Sequence, residues 1–137
     1  MTALLWICVI IGFTLQTGEI SSANSGRITA FIARLMKLEE TEHLHLIVRK
    51  VAHFSEYTIL GMLLALALKT IKMYSIYAAL IGFSVACCDE FIQGFVPGRG
   101  PSPKDVVIDS CGTIFGILIV TATLIAINRR KRNHETR

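Results

Sequence analysis

The sequence predicts an all-α fold: an integral membrane bundle of four transmembrane helices, with one further amphipathic helix lying in the interface plane. Three observations carry that prediction. Of the 137 residues, 53% are hydrophobic and 18% charged, with a mean hydropathy of +0.57, which leaves too little polar surface for a soluble domain. Long apolar stretches recur along the chain, near the length of about 20 residues that crosses a hydrocarbon core. Between the first two stretches lies a segment whose apolar residues keep helical spacing while charged residues fill the positions between them.

The first span runs from Thr2 to about Gly18 and carries Trp6 and Phe13. It has features of a signal peptide, with a cleavage candidate at Ser21-Ser22-Ala23, but no basic segment precedes its apolar run, so a retained helix is expected. The segment Ser25–Val48 is too polar to cross. Its Ile28, Phe31, Ile32, Leu35 and Leu38 recur at spacings of three and four, with Arg27, Arg34, Lys37, Glu39, Glu40 and Glu42 in the remaining positions. That pattern gives an interfacial amphipathic helix ending near Thr41. His43 and His45 follow, two residues apart, a poor metal-binding spacing on a helix, and read as interfacial. The second span is Val51–Leu68, the third runs from about Tyr74 to Phe95, and the fourth is Val106–Asn128. In the fourth, Gly112 and Gly116 allow close packing against the second or third helix. All three prolines, Pro97, Pro101 and Pro103, lie in the connection before it, a rigid reversal whose Arg99 is placed to fold back and meet an anionic group.

The net charge of +4 is partly concentrated in Arg129, Arg130, Lys131 and Arg132. Directly after an apolar helix, such a run holds a cytoplasmic end against anionic headgroups, and nucleic acid is not an expected partner. The four cysteines, Cys8, Cys87, Cys88 and Cys111, fall in or beside apolar runs without zinc spacing and read as small apolar residues of a membrane interior. Lys and Arg are equally numerous on the two sides of a four-span topology. Lys69, Lys72, Arg129–Arg132 and Arg137 share the side of the termini, and Arg27, Arg34, Lys37, Arg49, Lys50, Arg99 and Lys104 face them. The consecutive run at a helix end decides the orientation, with both termini cytoplasmic.

Ionisable residues inside spans are rare, because each costs about 2.5–3.5 kcal/mol at the centre of an inserted helix. Here they gather near one membrane face. Arg49, His53 and Glu56 share one helical stripe, Asp89 and Gln93 share another with Glu90 beside them, and Asp105 and Asp109 are one turn apart. Gln16 and Glu19 close the first span. With alternating span directions, all these groups lie at one end of the bundle. Snorkelling side chains and helix-locking ion pairs, such as Arg49 or His53 with Asp109, would explain part of the set. They do not explain all of it, since too few Lys and Arg residues are available to pair every carboxylate, and a functional site is expected.

Three segments carry a resemblance: Arg49-Lys-Val-Ala-His-Phe-Ser-Glu-Tyr-Thr-Ile-Leu-Gly61, Asp89-Glu-Phe-Ile-Gln-Gly-Phe-Val-Pro-Gly-Arg99 and Asp105-Val-Val-Ile-Asp-Ser-Cys-Gly-Thr-Ile-Phe-Gly116. In order and in spacing they resemble the VanZ-like family, a likeness that covers 49–116 and extends to Gln16-Thr-Gly-Glu19. The resemblance implies a single membrane domain over 1–137 with a basic cytoplasmic tail at 129–137, in a multi-pass protein of the bacterial plasma membrane and cell envelope. The family takes its name from a protein that confers low-level teicoplanin resistance. By position, its motif residues here are Arg49, Lys50, His53, Glu56, Tyr57, Asp89, Glu90, Gln93, Pro97, Gly98, Arg99, Asp105, Asp109 and Gly112.

Two functional readings follow. In the first, Arg49, Lys50, His53, Glu56, Asp89, Glu90, Gln93, Arg99, Asp105 and Asp109 form an outward-facing binding pocket for a membrane lipid headgroup or lipid-linked precursor, altering glycopeptide (teicoplanin) susceptibility. In the second, the chain is a small intramembrane enzyme on a lipid-linked substrate. His53 and Glu56 would then be the acid/base pair, Asp109 a further catalytic candidate, and Asp89, Asp105 and Asp109 oxygen ligands of a divalent cation. No nucleophilic Ser or Cys is paired with a base, which favours binding. A transporter is the least favoured class, since the chain has no internal repeat. A homo-oligomer is compatible with either leading reading.

Overall fold

A computed structural model describes residues 1–37, 39 and 41–135. Among the described residues the chain is wholly helical: α1 is Thr2–Thr14, α2 Gly18–Met36, α3 Glu42–Leu68, α4 Tyr74–Gln93 and α5 Pro103–Glu135. By length and composition α3, α4 and α5 are each apolar enough to cross a membrane. The α1–α2 pair, bent by 105°, raises the number to four when counted as one span.

Several boundaries depart from the sequence expectation. The first helix stops at Thr14 rather than about Gly18, so its 13 residues cover about 20 Å. The amphipathic helix begins at Gly18, not Ser25, because the Thr17 hydroxyl accepts the Ile20 amide at 3.5 Å and starts a new helix in a new direction. That helix ends at Met36, where Lys37 turns left-handed at φ 54°. The third helix starts at Glu42 instead of Val51, capped by Thr41, whose hydroxyl accepts the Leu44 amide at 3.3 Å. His43 and His45 therefore sit in the first turn of a long helix, and Arg49 and Lys50 two turns inside it. The basic segment after Asn128 continues α5, as Lys and Arg favour a helix and suit its negative C-terminal end. Leu38, Glu40 and Arg137 lie outside the described residues.

The bundle core joins Ala3 and Ile10 of α1, Tyr57, Leu60, Leu64 and Ala65 of α3, Ala78 and Ala86 of α4, and Ile117 and Val120 of α5. The most extensive contact is between α3 and α5. Gly112 and Gly116 make it possible: a Cβ on Gly112 would stand 2.5 Å from the Phe54 carbonyl oxygen, and one on Gly116 2.1 Å from that of Thr58. The expected small-residue seam thus packs on α3, the second of the anticipated spans. At the start of the seam α1 and α4 run toward one end of the bundle, while α3 and α5 run away from it. Trp6 Nε1 donates to the Glu56 carbonyl at 2.9 Å, and the Tyr74 and Thr121 hydroxyls meet at 2.8 Å near the far end.

Helix α2 lies across the polar end. Thr29 and Ala33 are its buried contacts, whereas Ile28, Phe31 and Leu35 are exposed by half or more. A helix whose buried side is small and polar and whose exposed side is apolar is one whose apolar side faces lipid. The four cysteines are exposed and unpaired.

Candidate functional site

The polar end is built from the C-terminus of α1, the first three turns of α2, the middle of α3, the end of α4, the connection to α5 and the first two turns of α5. Arg49, His53 and Glu56 are spaced by one turn along α3, and all three line a cavity of about 210 Å³. Thr14, Asp89, Gln93 and Arg99 face them, while Gln16, Ser21, Asn24 and Ser25 contribute a polar rim. Ile10, Phe13, Ile28 and Val48 give the same cavity an apolar wall. A second cavity of about 220 Å³ adjoins it, sharing Arg49, His53, Gln93 and Arg99 and adding Lys50, Ser102 and Asp105.

Behind the lining of these two cavities, to which Asp109 does not belong, the end of the bundle is carboxylate-rich. Asp109 has no exposed surface, and its Oδ1 lies 3.4 Å from His53 Nδ1. The contact is close but lacks hydrogen-bond alignment: among the described residues neither Asp109 oxygen nor His53 Nδ1 has a hydrogen-bond partner. Asp89 is held from two sides, its Oδ1 by the Thr14 hydroxyl and its Oδ2 by Gln93 Nε2 at 3.3 Å. Ligand atoms of His53, Asp89 and Asp109 all fall within 4.8 Å of one another. Tyr57 is buried behind them and leaves its hydroxyl unpartnered.

Other members of the expected set do different work. Asp105 stands apart from this cluster, because Lys50 Nζ donates to its Oδ1 at 2.5 Å across α3 and α5. Glu90 is buried and points to the connection rather than the cavity, its Oε2 accepting the Ser102 amide at 2.6 Å. Arg99 does fold back, but onto main chain. Its Nη1 donates to the carbonyls of Phe13 at 3.3 Å and Thr14 at 3.2 Å at the end of α1, where the Phe13 oxygen also accepts the Gln16 amide at 3.2 Å. Gly18 and Gly98 allow this return: the Gly18 amide donates to the Pro97 carbonyl at 3.0 Å, and a Cβ on Gly18 would meet the Gly98 oxygen at 2.2 Å. Glu19 is exposed on α2 and lies outside both cavities.

Sequence reasoning missed Thr14, Asn24 and the α2 residues Ser21 and Ser25 as lining groups. Thr14 gave no signal beyond a small hydroxyl near the end of an apolar run, and α2 was expected to begin only at Ser25. An acid/base reading also shifts. The carboxylate in close contact with His53 is Asp109 rather than Glu56.

Comparison with known proteins gives one assignment: residues 1–126 match the family described as VanZ/LLP1. No curated protein and no solved structure matches the chain.

Proposed function

The chain belongs to the VanZ/LLP1 family, and from that premise we propose that it binds the anionic headgroup of an envelope lipid or lipid-linked precursor in the bacterial plasma membrane, and so alters glycopeptide susceptibility. The cavity lining carries the reading: it combines the guanidinium groups of Arg49 and Arg99 with the apolar side chains of Ile10, Phe13, Ile28 and Val48. A headgroup joined to acyl or prenyl chains presents the same combination, with a phosphate for the guanidinium groups and a hydrocarbon for the apolar side chains. The exposed apolar stripe of α2 would float this entrance at headgroup depth.

Lipids retained by the gently purified protein test this directly. Mass spectrometry is expected to find an anionic phospholipid or prenyl phosphate enriched over bulk membrane. Arg49→Ala and Arg99→Gln should each reduce retention about tenfold, the loss of one charge-assisted contact of about 1.5 kcal/mol. The same variants should lose any change in teicoplanin susceptibility conferred by the parent. Retention no better than bulk membrane composition, or unaffected by both substitutions, would sink the proposal. A second reading, an intramembrane enzyme, is favoured by the His53–Asp109 contact at 3.4 Å. Release of headgroup or phosphate from the bound lipid on incubation would distinguish it from simple binding.

A further inference from the structure

We infer that His53, Asp89 and Asp109 bind a divalent transition-metal ion of the zinc or manganese class at the floor of the cavity. Three separated helices, α3, α4 and α5, deliver one ligand each to a common point, with the ligand atoms within 4.8 Å of one another. Two donors placed about 2.1 Å from a tetrahedral ion are about 3.4 Å apart. His53 Nδ1 and Asp109 Oδ1 are separated by 3.4 Å, and a ligand oxygen of Asp89 lies within 4.8 Å of both residues' ligand atoms.

An ordinary ion pair accounts for this geometry less well. The imidazole nitrogen and both Asp109 oxygens are buried, converge, and find no hydrogen-bond partner among the described residues. Natural proteins rarely leave several such atoms together without a shared partner. Cationic side chains do not supply one. Lys50 is bound to Asp105, the Arg99 Nη1 is directed at two carbonyls, and among the described residues neither Asp89 nor Asp109 has a Lys or Arg within ion-pair distance. One divalent cation would balance both carboxylates.

The surroundings fit a metal centre as well. Asp89 is oriented by Thr14 and Gln93, as ligating carboxylates usually are by outer groups. An imidazole with two carboxylates suits a borderline ion, and the exposed Cys111, two residues from Asp109, provides no thiolate to the cluster. Three protein ligands leave positions open toward the cavity. That these positions hold a lipid phosphate rests on the lipid-binding reading above; the ion's presence does not.

The test uses the full chain in detergent, stripped with a chelator and titrated with zinc or manganese alone. Saturable binding of about one ion per chain is expected, with His53→Gln and Asp109→Asn each weakening it more than about 100-fold and Thr14→Val, which releases Asp89, by about 10–100-fold. Cys111→Ala should bind as the parent does. Arg49→Ala should lose lipid while keeping the ion, so the two proposals fail separately. Cobalt loading of the unsubstituted chain decides the matter even where a variant does not fold. Ligand-field bands without sulfur charge-transfer absorption support the centre. No saturable uptake, thiolate bands, or unchanged binding in folded His53 and Asp109 variants would overturn it.

Discussion

Asp109 is the residue at which bundle locking and site chemistry make opposite claims. It is fully buried and lies 3.4 Å from His53, so on contact alone it could be one half of a structural pair. Removing one partner of a buried pair costs about 3–5 kcal/mol, because the other is left as an uncompensated charge. Asp109→Asn and Glu56→Gln keep side-chain shape while removing the carboxylate charge. If the groups serve a site, both variants should insert and melt within about 1 kcal/mol of the parent while losing lipid retention or susceptibility change. Thermal unfolding in detergent, paired with the functional assay for each variant, checks this. A joint loss of stability and phenotype, restored by a second charge removal at His53, would make the network scaffolding. Most of these residues were legible in the sequence, since an ionisable group in an apolar helix is conspicuous and its helical phase names its neighbours. Their partners were less so. Lys50 with Asp105 and Ser102 with Glu90 depend on how far α5 is displaced along α3 and on the path of the Pro97–Pro103 connection, which spacing does not encode.

At the scale of the element, the α3–α5 seam makes the sharpest claim. A methyl group on Gly116 would stand 2.1 Å from the Thr58 oxygen and 2.8 Å from the Met62 nitrogen, both main-chain atoms that cannot rotate away. Gly116→Ala should therefore force the helices apart and destabilise the bundle by about 1–3 kcal/mol, the usual cost of overpacking. Gly12 in α1 has nothing within 4 Å of its Cβ position, so Gly12→Ala should leave stability unchanged or raise it by up to about 1 kcal/mol through helix propensity. Denaturant unfolding followed by circular dichroism compares the two, and equal effects would refute the seam. Its spacing was readable from Gly112 and Gly116 alone; the breaks in the chain were not. The apolar run of α1 continues through Leu15, so nothing in hydropathy announces a stop at Thr14. The 105° turn is made by the Thr17 cap and by Pro97 accepting the Gly18 amide, and the second of these comes from a remote part of the chain. Likewise Glu42–Lys50 reads as interface by composition, yet it is the first two turns of α3.

For the molecule as a whole, the helix directions fix which charges share an end. Thr14, His53, Asp89, Asp109 and the Pro97–Pro103 connection meet at one end. Lys69 and Lys72, in the α3–α4 turn, and Arg129–Arg132, late in α5, fall at the other. Totals of Lys and Arg do not separate the two ends, but their surroundings do. Lys50 is tied to Asp105 and Arg99 to the α1 carbonyls, whereas Arg129, Arg130 and Lys131 are exposed in sequence-adjacent positions after an apolar stretch. Clustered, exposed cations just beyond a span are the ones that orient insertion and bind the anionic inner leaflet. The polar cavity should accordingly open to the outside of the plasma membrane. With the four exposed cysteines replaced by alanine, single cysteines are placed at Gly100, whose Cβ position is open, and at Thr70 in the opposite turn. Neither change alters a charge. In intact cells a membrane-impermeant thiol reagent should label position 100 and leave 70 untouched until the membrane is permeabilised. Labelling of 70 alone would invert the topology, and labelling of both would mean that the charges do not impose one orientation. The first result would remove the outer leaflet as the source of the proposed headgroup ligand, because a cavity on the cytoplasmic side meets different lipids and no glycopeptide.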